Sequence, residues 1–405
     1  MTTMTNKKIG IIGGGPGGLM LGLLLQNQGL DVHIYEKADR NVNRSRGGSL
    51  DIHHDTGQLP LAEAGLLDEF KALARFEGED TKIVDKQGHI YFEEDAEGEG
   101  GRPEIDRGEL CDLIQNKIEP ERIHYGYKFE SMDTLEDGKV KVHFHHSDNF
   151  NQIEQQETEV FDLVIGSDGA FSKVRPFLAD TDIIYTGVSF IELSVPDVHT
   201  QYPDLAEYNK NGKMMGLGGD QLILGQLNGD GRIVVYVAYE LDRDQLDEYK
   251  ALDNEALKAR ILEEFQDWDE ELLKYIKYAD DNIMFRRIYR LPIGFEWQHQ
   301  SNVTLIGDAA HLMSPFAGEG VNMALYDAYM LAHAIANHSN QTEQIDFDKA
   351  LAEYEKNMYE SSKERAKESQ ENLETFFRED APEVMANFFI EGQKMLEAQN
   401  QQSNQ

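Results

Sequence analysis

An α/β fold is predicted for this 405-residue chain: a Rossmann-type domain on a parallel sheet, a mixed β-sheet domain inserted into it, and a bridging C-terminal helix. Three observations predict it. Ile9 to Ile12 leads through a glycine-rich turn into an apolar helix and then a strand at Val32 to Tyr35, one βαβ unit. Val303 to Ile306 is a second short apolar run, followed by small residues and a helix over Val321 to Ala336. Between them, 183–240 reads mostly as strand, with a hairpin turn at Asn228-Gly229-Asp230-Gly231. Nucleotide-type elements at both ends make one domain discontinuous: 1–80, 103–180 and 284–345. The inserted domain takes 81–102 and 181–283, the helix 346–397, and a disordered tail 398–405. The length suits two packed domains.

The remaining elements follow from local pattern. Gly29 ends the first helix. Residues 61–76 have helical periodicity, 82–92 form a hairpin around Asp85-Lys86-Gln87-Gly88, and 107–118 form a helix. Strands at 123–133 and 139–146 flank Glu136-Asp137-Gly138, and the strand 161–166 leads through Gly166 to Arg175 into a helix. Residues 254–278 read as one helix. A long polar helix over 347–377 carries Leu351, Tyr354 and Met358 on one face.

Composition narrows the function. Acids outnumber bases 75 to 38, a formal charge of −37. That field repels phosphate backbones and anionic membranes, so neither nucleic acid nor membrane is an expected partner. The charge itself reads as a solubility adaptation. Lys7-Lys8 before the apolar run mimics a signal peptide, but the central glycines would break its helix. A cytoplasmic monomer acting on a small molecule is expected. The single cysteine, Cys111, excludes an intrachain disulfide and reads as a small buried residue. His143-Phe144-His145-His146 and His53-His54 read as solvated histidines, and no metal is expected. Phe376-Phe377 and Phe388-Phe389 read as docking a terminal helix.

Three motifs carry chemistry. Gly13-x-Gly15-x-x-Gly18 sits between strand and helix: a tight turn, a close approach for a pyrophosphate, and close helix packing. Glu36 ends the next strand, where an acid accepts a ribose hydroxyl. The second motif is the strand-to-turn segment Asp162 to Arg175, with Ser167-Asp168-Gly169 at the turn. The third is Gly307-Asp308-Ala309-Ala310-His311 through Pro315-Phe316-Ala317-Gly318-Glu319-Gly320-Val321-Asn322, whose small residues let a flat ligand approach the backbone.

In order and spacing, these motifs resemble the fingerprints of the class A (para-hydroxybenzoate hydroxylase-like) flavin monooxygenases. Across nearly the whole length the chain resembles the tetracycline-inactivating members. Ile11 to Gly18, Gly47 to Asp51, Pro103 to Arg107, Phe265 to Glu270, Gly307 to Asn322 and the C-terminal helix carry the resemblance. It implies FAD as cofactor, NADPH as co-substrate, and O2 as the source of an oxygen atom. The oxygen passes through a flavin C4a-hydroperoxide to an electron-rich phenol or enol, with no catalytic side chain.

The resemblance also implies roles. Glu36 holds the adenosine ribose, and Arg107 contacts the diphosphate region. Asp51 and Asp308 contact the flavin cofactor, and Arg44 is associated with NADPH. Asp168 and Gly169 serve both nucleotides. Pro315, Phe316 and Gly318 border both the isoalloxazine ring and the substrate. Gly13, Gly15, Gly18, Lys37, Gly48, Gly307, Gly320, Val321 and Asn322 complete the cofactor set. His311 reads as a structural hydrogen-bonding group. The tetracycline-recognising Gln, Arg and His of the central sheet align with Glu192, Lys213 and Val234. Glutamate only accepts hydrogen bonds, lysine lacks the guanidinium fork, and valine offers no polar atom. Three functions stay open: a hydroxylase with tetracyclines among its candidate substrates, a flavin-dependent reductase or dehydrogenase, and a flavin-loaded binding protein.

Overall fold

The computed structural model describes residues 7–40, 48–95, 101–148, 153–339 and 344–403. The chain divides into two compact units: 1–74, 107–184 and 289–369 form the first, and 75–106, 185–288 and 370–405 the second.

The first unit is built on five parallel strands in the order Val303–Leu305, Leu163–Gly166, Lys8–Ile12, Asp31–Glu36, Ile123–Tyr125. Ile12 pairs with both Gly166 and Tyr35, and Gly166 pairs with Leu305. The strands carrying the three motifs therefore end level, and all three motif turns leave the sheet at its carboxyl edge. This is where ligands bind in open parallel sheets. Helix Pro16–Asn27 is buried over Pro16 to Leu25, as its uniformly apolar sequence requires. It packs against helix Gly320–Asn337 so closely that a Cβ on Gly17 would lie 2.9 Å from the Ala324 carbonyl oxygen.

Helix Phe347–Phe376 is fastened by polar contacts as well as by Leu351 and Met358. The Tyr354 hydroxyl donates to the Leu305 carbonyl at 2.8 Å. The buried Glu355 carboxylate accepts from Trp297 Nε1 at 3.1 Å and Thr304 Oγ1 at 2.8 Å, and faces His299 Nδ1 at 2.7 Å. An antiparallel sheet of Tyr127–Thr134, Val140–Asp148 and Ile153–Phe161 completes this unit.

The second unit holds a seven-stranded sheet in the order Met284–Arg290, Ile184–Val195, Ile233–Glu240, Gln221–Leu227, Lys213–Leu217, Thr81–Asp85, Ile90–Glu94. Lys213–Leu217 and Thr81–Asp85 run parallel, while their neighbours pair antiparallel, so the sheet is mixed. One face, with Ile191, Leu193, Val235 and Val237, packs on a helical layer through Phe265, Trp268 and Tyr275. Phe389 of helix Ala381–Ser403 stacks on Phe92 at 5.4 Å, so this aromatic docks the terminal helix, while Phe388 is exposed.

Several expected elements differ. The helix over 61–76 is two, Gln58–Glu63 and Leu67–Leu73, because Gly65 turns left-handed (φ 71°). The helix over 254–278 is also two, Asn254–Glu264 and Glu270–Lys277. The Asp269 side chain caps the second by accepting from the Glu271 amide at 3.0 Å. Residues 168–174 form a side-chain-bracketed turn before a 3₁₀ turn at Arg175–Phe177, not the start of a helix. Helices Val198–Gln201 and Pro203–Asn209 interrupt the strand-rich block. Strand Ile153–Phe161 went unread because its polar sequence matters only through pairing.

The single helix over 346–397 is replaced by Phe347–Phe376 and Ala381–Ser403. Pro382 cannot sit inside a continuous helix, since its ring would meet the preceding turn. The tail expected to be disordered over 398–405 is helical to Ser403, in keeping with its alanine and glutamine content. Cys111 is half-buried and not fully enclosed, at the first helix turn beyond Arg107.

Replacing Glu355 with alanine leaves the buried Trp297 and Thr304 donors without their acceptor, while exposed His299 keeps Asp348. The substitution is expected to lower unfolding stability by about 2–4 kcal/mol, measured by urea titration.

Candidate functional site

Each motif turn is held by a side chain that takes its backbone amides. Gly13 has φ 111°, and a Cβ there would run into the Ser167 carbonyl oxygen, so only glycine fits where the first two motifs meet. A Cβ on Gly18 would strike the Gly13 carbonyl oxygen. A Cβ on Gly15 has room, with Arg107 Nη2 as its nearest neighbour at 3.9 Å, so the demand for glycine there comes from whatever occupies that space. Glu36 accepts from the Gly14 amide at 2.7 Å and the Ala38 amide at 2.8 Å. It braces the glycine turn, and each oxygen keeps a lone pair for a ribose hydroxyl.

The second turn is bracketed in the same way. Asp168 accepts from the Lys173 amide at 2.6 Å and the Ser172 hydroxyl at 2.5 Å. Arg175, buried beneath it, donates to the carbonyls of Ala170, Asp308 and Ala309 at 3.0, 3.0 and 2.8 Å, binding the second motif to the third.

In the third motif the organising group is Asp327. Its Oδ2 accepts from the Gly307 amide at 2.7 Å and from His311 Nε2 at 2.6 Å. Burial alone would depress the His311 imidazole, but contact with Asp327, with Asp308 beyond, lifts it above its ordinary value. His311 is thus a structural hydrogen-bonding group, as its sequence context suggested. Burial lifts the Asp308 carboxyl above the usual range, against the pull of His311, Arg107 and Arg175. Asp308 Oδ1 lies 4.0 Å from the place of a Gly320 Cβ, beside the start of helix Gly320–Asn337.

Asn322 is fully buried with its carboxamide engaged. It accepts from the His53 amide at 2.8 Å and donates to the Asp51 and Gly318 carbonyls at 2.9 and 3.1 Å. Its side chain is a strut between segments 48–53 and 315–320, and any direct cofactor contact falls to backbone. Gly318 is left-handed (φ 67°) and brings the loop to Asp51, whose Oδ2 is 3.2 Å from the added Cβ.

His53 corrects the expectation of a solvated side chain. It is 2% exposed, with Nε2 3.3 Å from Asp51 Oδ2 and Nδ1 3.6 Å from Glu319 Oε1. Arg365 Nη1 reaches the same Glu319 oxygen at 3.0 Å. His54 is exposed. Asp327 and Arg365 carry no local mark, and Glu319, part of the third motif, gains its role only with His53 and Arg365 beside it.

Pro315 opens a 3₁₀ turn with Phe316, and Gly320 and Val321 begin the following helix. Gly48 adjoins strand Ser49–Asp51, Lys37 is exposed, and Arg44 lies outside the described residues. Amides at two helix starts, Arg107 over the glycine turn, and acids at Glu36, Asp51 and Asp308 thus gather on one edge. They suit a dinucleotide with a diphosphate, hydroxyls and a flat ring.

The sequence profile of the FAD binding domain family matches residues 6–364. The chain belongs to this family of flavoprotein monooxygenases. Monooxygenase asqM of Emericella nidulans is 27% identical over 95% of this chain and 99% of that protein. Among solved structures, Klebsiella pneumoniae HpxO complexed with FAD and uric acid has a TM-score of 0.76 at 19% identity, covering 96% of this chain and 95% of that one. Tetracycline destructase Tet(51) has a TM-score of 0.66 at 22% identity, covering 96% and 97%. These structures share the fold with this flavoprotein.

In the second unit, the three aligned substrate positions lie on one face of the sheet, opposite the helix-packed face. Register places Ser194, Val234, Gln226, Lys213 and Thr81 in one cross-strand row and Glu192, Tyr236, Leu224, Met215 and Ile83 in the next. Glu192 and Lys213 are both engaged: Glu192 accepts from Arg286 Nε at 2.7 Å, and Lys213 Nζ lies 3.8 Å from buried Glu104. Val234 is buried. The histidines of the antiparallel sheet each face a carboxylate across strands: His143 with Asp133, His145 with Glu130, His146 with Glu157. No helix among the described residues is long and apolar enough to cross a membrane.

Two outcomes are expected. Gly15→Val should fold with near-normal stability yet bind FAD at least about tenfold more weakly, read by flavin fluorescence, whereas Gly13→Val should not fold. The raised His311 value means its ion pair stabilises fully below the unfolded histidine value, about pH 6.5, and fades as pH climbs through the higher folded value. The melting difference between the unmodified chain and His311→Gln should therefore be greatest at or below about pH 6.5 and shrink on the alkaline side.

Proposed function

We propose that this flavoprotein uses NADPH and O2 to hydroxylate a small aromatic or enolic polycyclic compound. The balance is R–H + NADPH + H⁺ + O2 → R–OH + NADP⁺ + H2O: one C–H bond is replaced by C–O, and the second oxygen leaves as water. The observation that carries the proposal is the level register of the three motif strands, which gathers Glu36, Arg107, Asp308 and the 315–320 loop on one sheet edge.

FAD bound there supplies the electron transfer and oxygen activation. The chain's own residues bind and orient. The amides at the start of Pro16–Asn27, with Arg107, offset a diphosphate, and Glu36 accepts a ribose hydroxyl. Asp51 and Gly318, pinned by Asn322, set the loop against a flat ring, and the start of Gly320–Asn337 offers donors to an anionic ring edge. No side chain is required as a general base, and His311 is already committed to Asp327.

The face of the seven-stranded sheet opposite its helical layer carries the substrate positions in this proposal. Glu192 is engaged by Arg286 and Lys213 lies near Glu104, while Val234, in the Lys213 row, offers no polar atom, which disfavours the hydrogen-bonding pattern of the tetracycline-recognising enzymes. Tetracyclines are therefore expected to be poor substrates. The triple variant Glu192→Gln, Lys213→Arg, Val234→His is expected to bind them more tightly, read by flavin absorbance titration; unchanged affinity would argue against this surface.

The function is tested by NADPH oxidation in the purified protein with a panel of phenols, enols and a tetracycline, with products read by mass spectrometry. The expected product is heavier by one oxygen atom and absent without O2. Product formation without O2 would identify a dehydrogenase. Ligand binding without NADPH oxidation would identify a flavin-loaded binding protein.

A further inference from the structure

Glu319 stands between Gly318 and Gly320 in the third motif, and it is a buried acid, 3% exposed. Arg365 Nη1 and His53 Nδ1 approach its Oε1 at 3.0 and 3.6 Å, while Oε2 accepts no hydrogen bond among the described residues. Both basic partners are shared. Arg365 also faces Glu368 at 3.6 Å, and His53 also faces Asp51 at 3.3 Å. The negative charge of Glu319 is therefore only partly offset. Buried Glu355 gives the contrast, since both its oxygens are taken, one by Trp297 and Thr304 and the other by His299. A carboxylate held as Glu319 is costs stability that a glutamine of the same shape would not.

Backbone geometry fixes where the charge acts. Gly318 is left-handed (φ 67°) and turns the chain into Glu319, the N-cap residue of helix Gly320–Asn337. The Glu319 side chain makes no capping hydrogen bond, so the carboxylate is not spent on the helix amides. Those amides give the helix start a positive field. Glu319 sets a negative charge at the same turn, and Arg365, on helix Phe347–Phe376, offsets part of it.

We infer that Glu319 lowers the reduction potential of the flavin held at this loop and that Arg365 limits the lowering. The inference rests on the proposal that FAD binds with its ring against residues 315–320. Two-electron reduction with uptake of one proton adds one negative charge to the ring. A fixed anion nearby disfavours that product and a fixed cation favours it, most strongly where water is excluded. A lower potential makes the reduced cofactor the stronger reductant toward O2, which the proposed stoichiometry consumes. Both residues act through charge alone, with no proton or bond exchanged.

The test uses the full-length, FAD-loaded protein. Reduction potentials are measured without O2 against reference dyes, at mildly alkaline pH where the reduced ring is anionic. Glu319→Gln keeps the shape and removes the charge. It is expected to raise the potential by about 30 mV or more, a tenfold change in a two-electron equilibrium. Arg365→Gln is expected to lower the potential, and Arg365→Lys, which keeps the charge, to stay closer to the unmodified protein. The double variant Glu319→Gln, Arg365→Gln removes both partners of the ion pair and should fall between the two single variants. Opposite signs are the signature of charge, because structural damage to the loop would move both variants the same way or release FAD. No shift or a downward shift in Glu319→Gln, shifts of one sign in both single variants, or loss of FAD from Glu319→Gln overturns the inference. Those outcomes leave the hydroxylase proposal standing, since it is read separately from O2-dependent product mass. An unmodified protein that takes up no FAD overturns both.

Discussion

Satisfaction of loop backbone at the carboxyl edge of the parallel sheet is the constraint on which the rest depends. A buried amide must find a partner in the protein or be left for a ligand. Here one polar side chain brackets each turn: Glu36 the glycine turn, Asp168 the second, Asp327 the third, and Asn322 the junction of two loops. With these amides committed, the donors left at the two helix starts are those facing outward. The site is therefore shaped before any cofactor arrives, and its rigidity follows from hydrogen bonds that have no alternative partner.

The electrostatics of that edge run against the charge of the whole chain. The sequence carries a formal charge of −37, yet Arg107, Arg175 and Arg365 are drawn into the motif region. Each serves a different end: Arg107 stands over the glycine turn, Arg175 satisfies three carbonyls, and Arg365 offsets buried Glu319. His53 and His311 also lie against carboxylates. Excess surface acid governs solubility, while local cations govern what the edge can hold.

In the proposed function, the pleat of the seven-stranded sheet separates stability from recognition. One face is apolar and sealed by helices. The other alternates charged, polar and apolar positions, and its ion pairs place Glu192 and Lys213 in internal contacts. A fold shared with many flavoproteins can thus be redirected by changing a few positions on one face while its core stays intact.

The nucleotide-binding architecture was written in the sequence, because turn glycines, short apolar strands and helix starts are local features whose geometry follows from neighbouring residues. Gly13, Gly18, Glu36 and the 307–322 segment could be read there for that reason, and so could the mixed sheet between them. His53, Arg175, Asp327 and Arg286 acquired meaning only in three dimensions, since their partners lie from two to 269 residues away and no spacing rule links them. The helix interruptions at Gly65, Asp269 and Pro382 carried local marks, but periodicity outweighed them. Tertiary structure alone decided which polar residues are struts and which donors stay open, because that depends on register and burial, and neither is a property of adjacent residues.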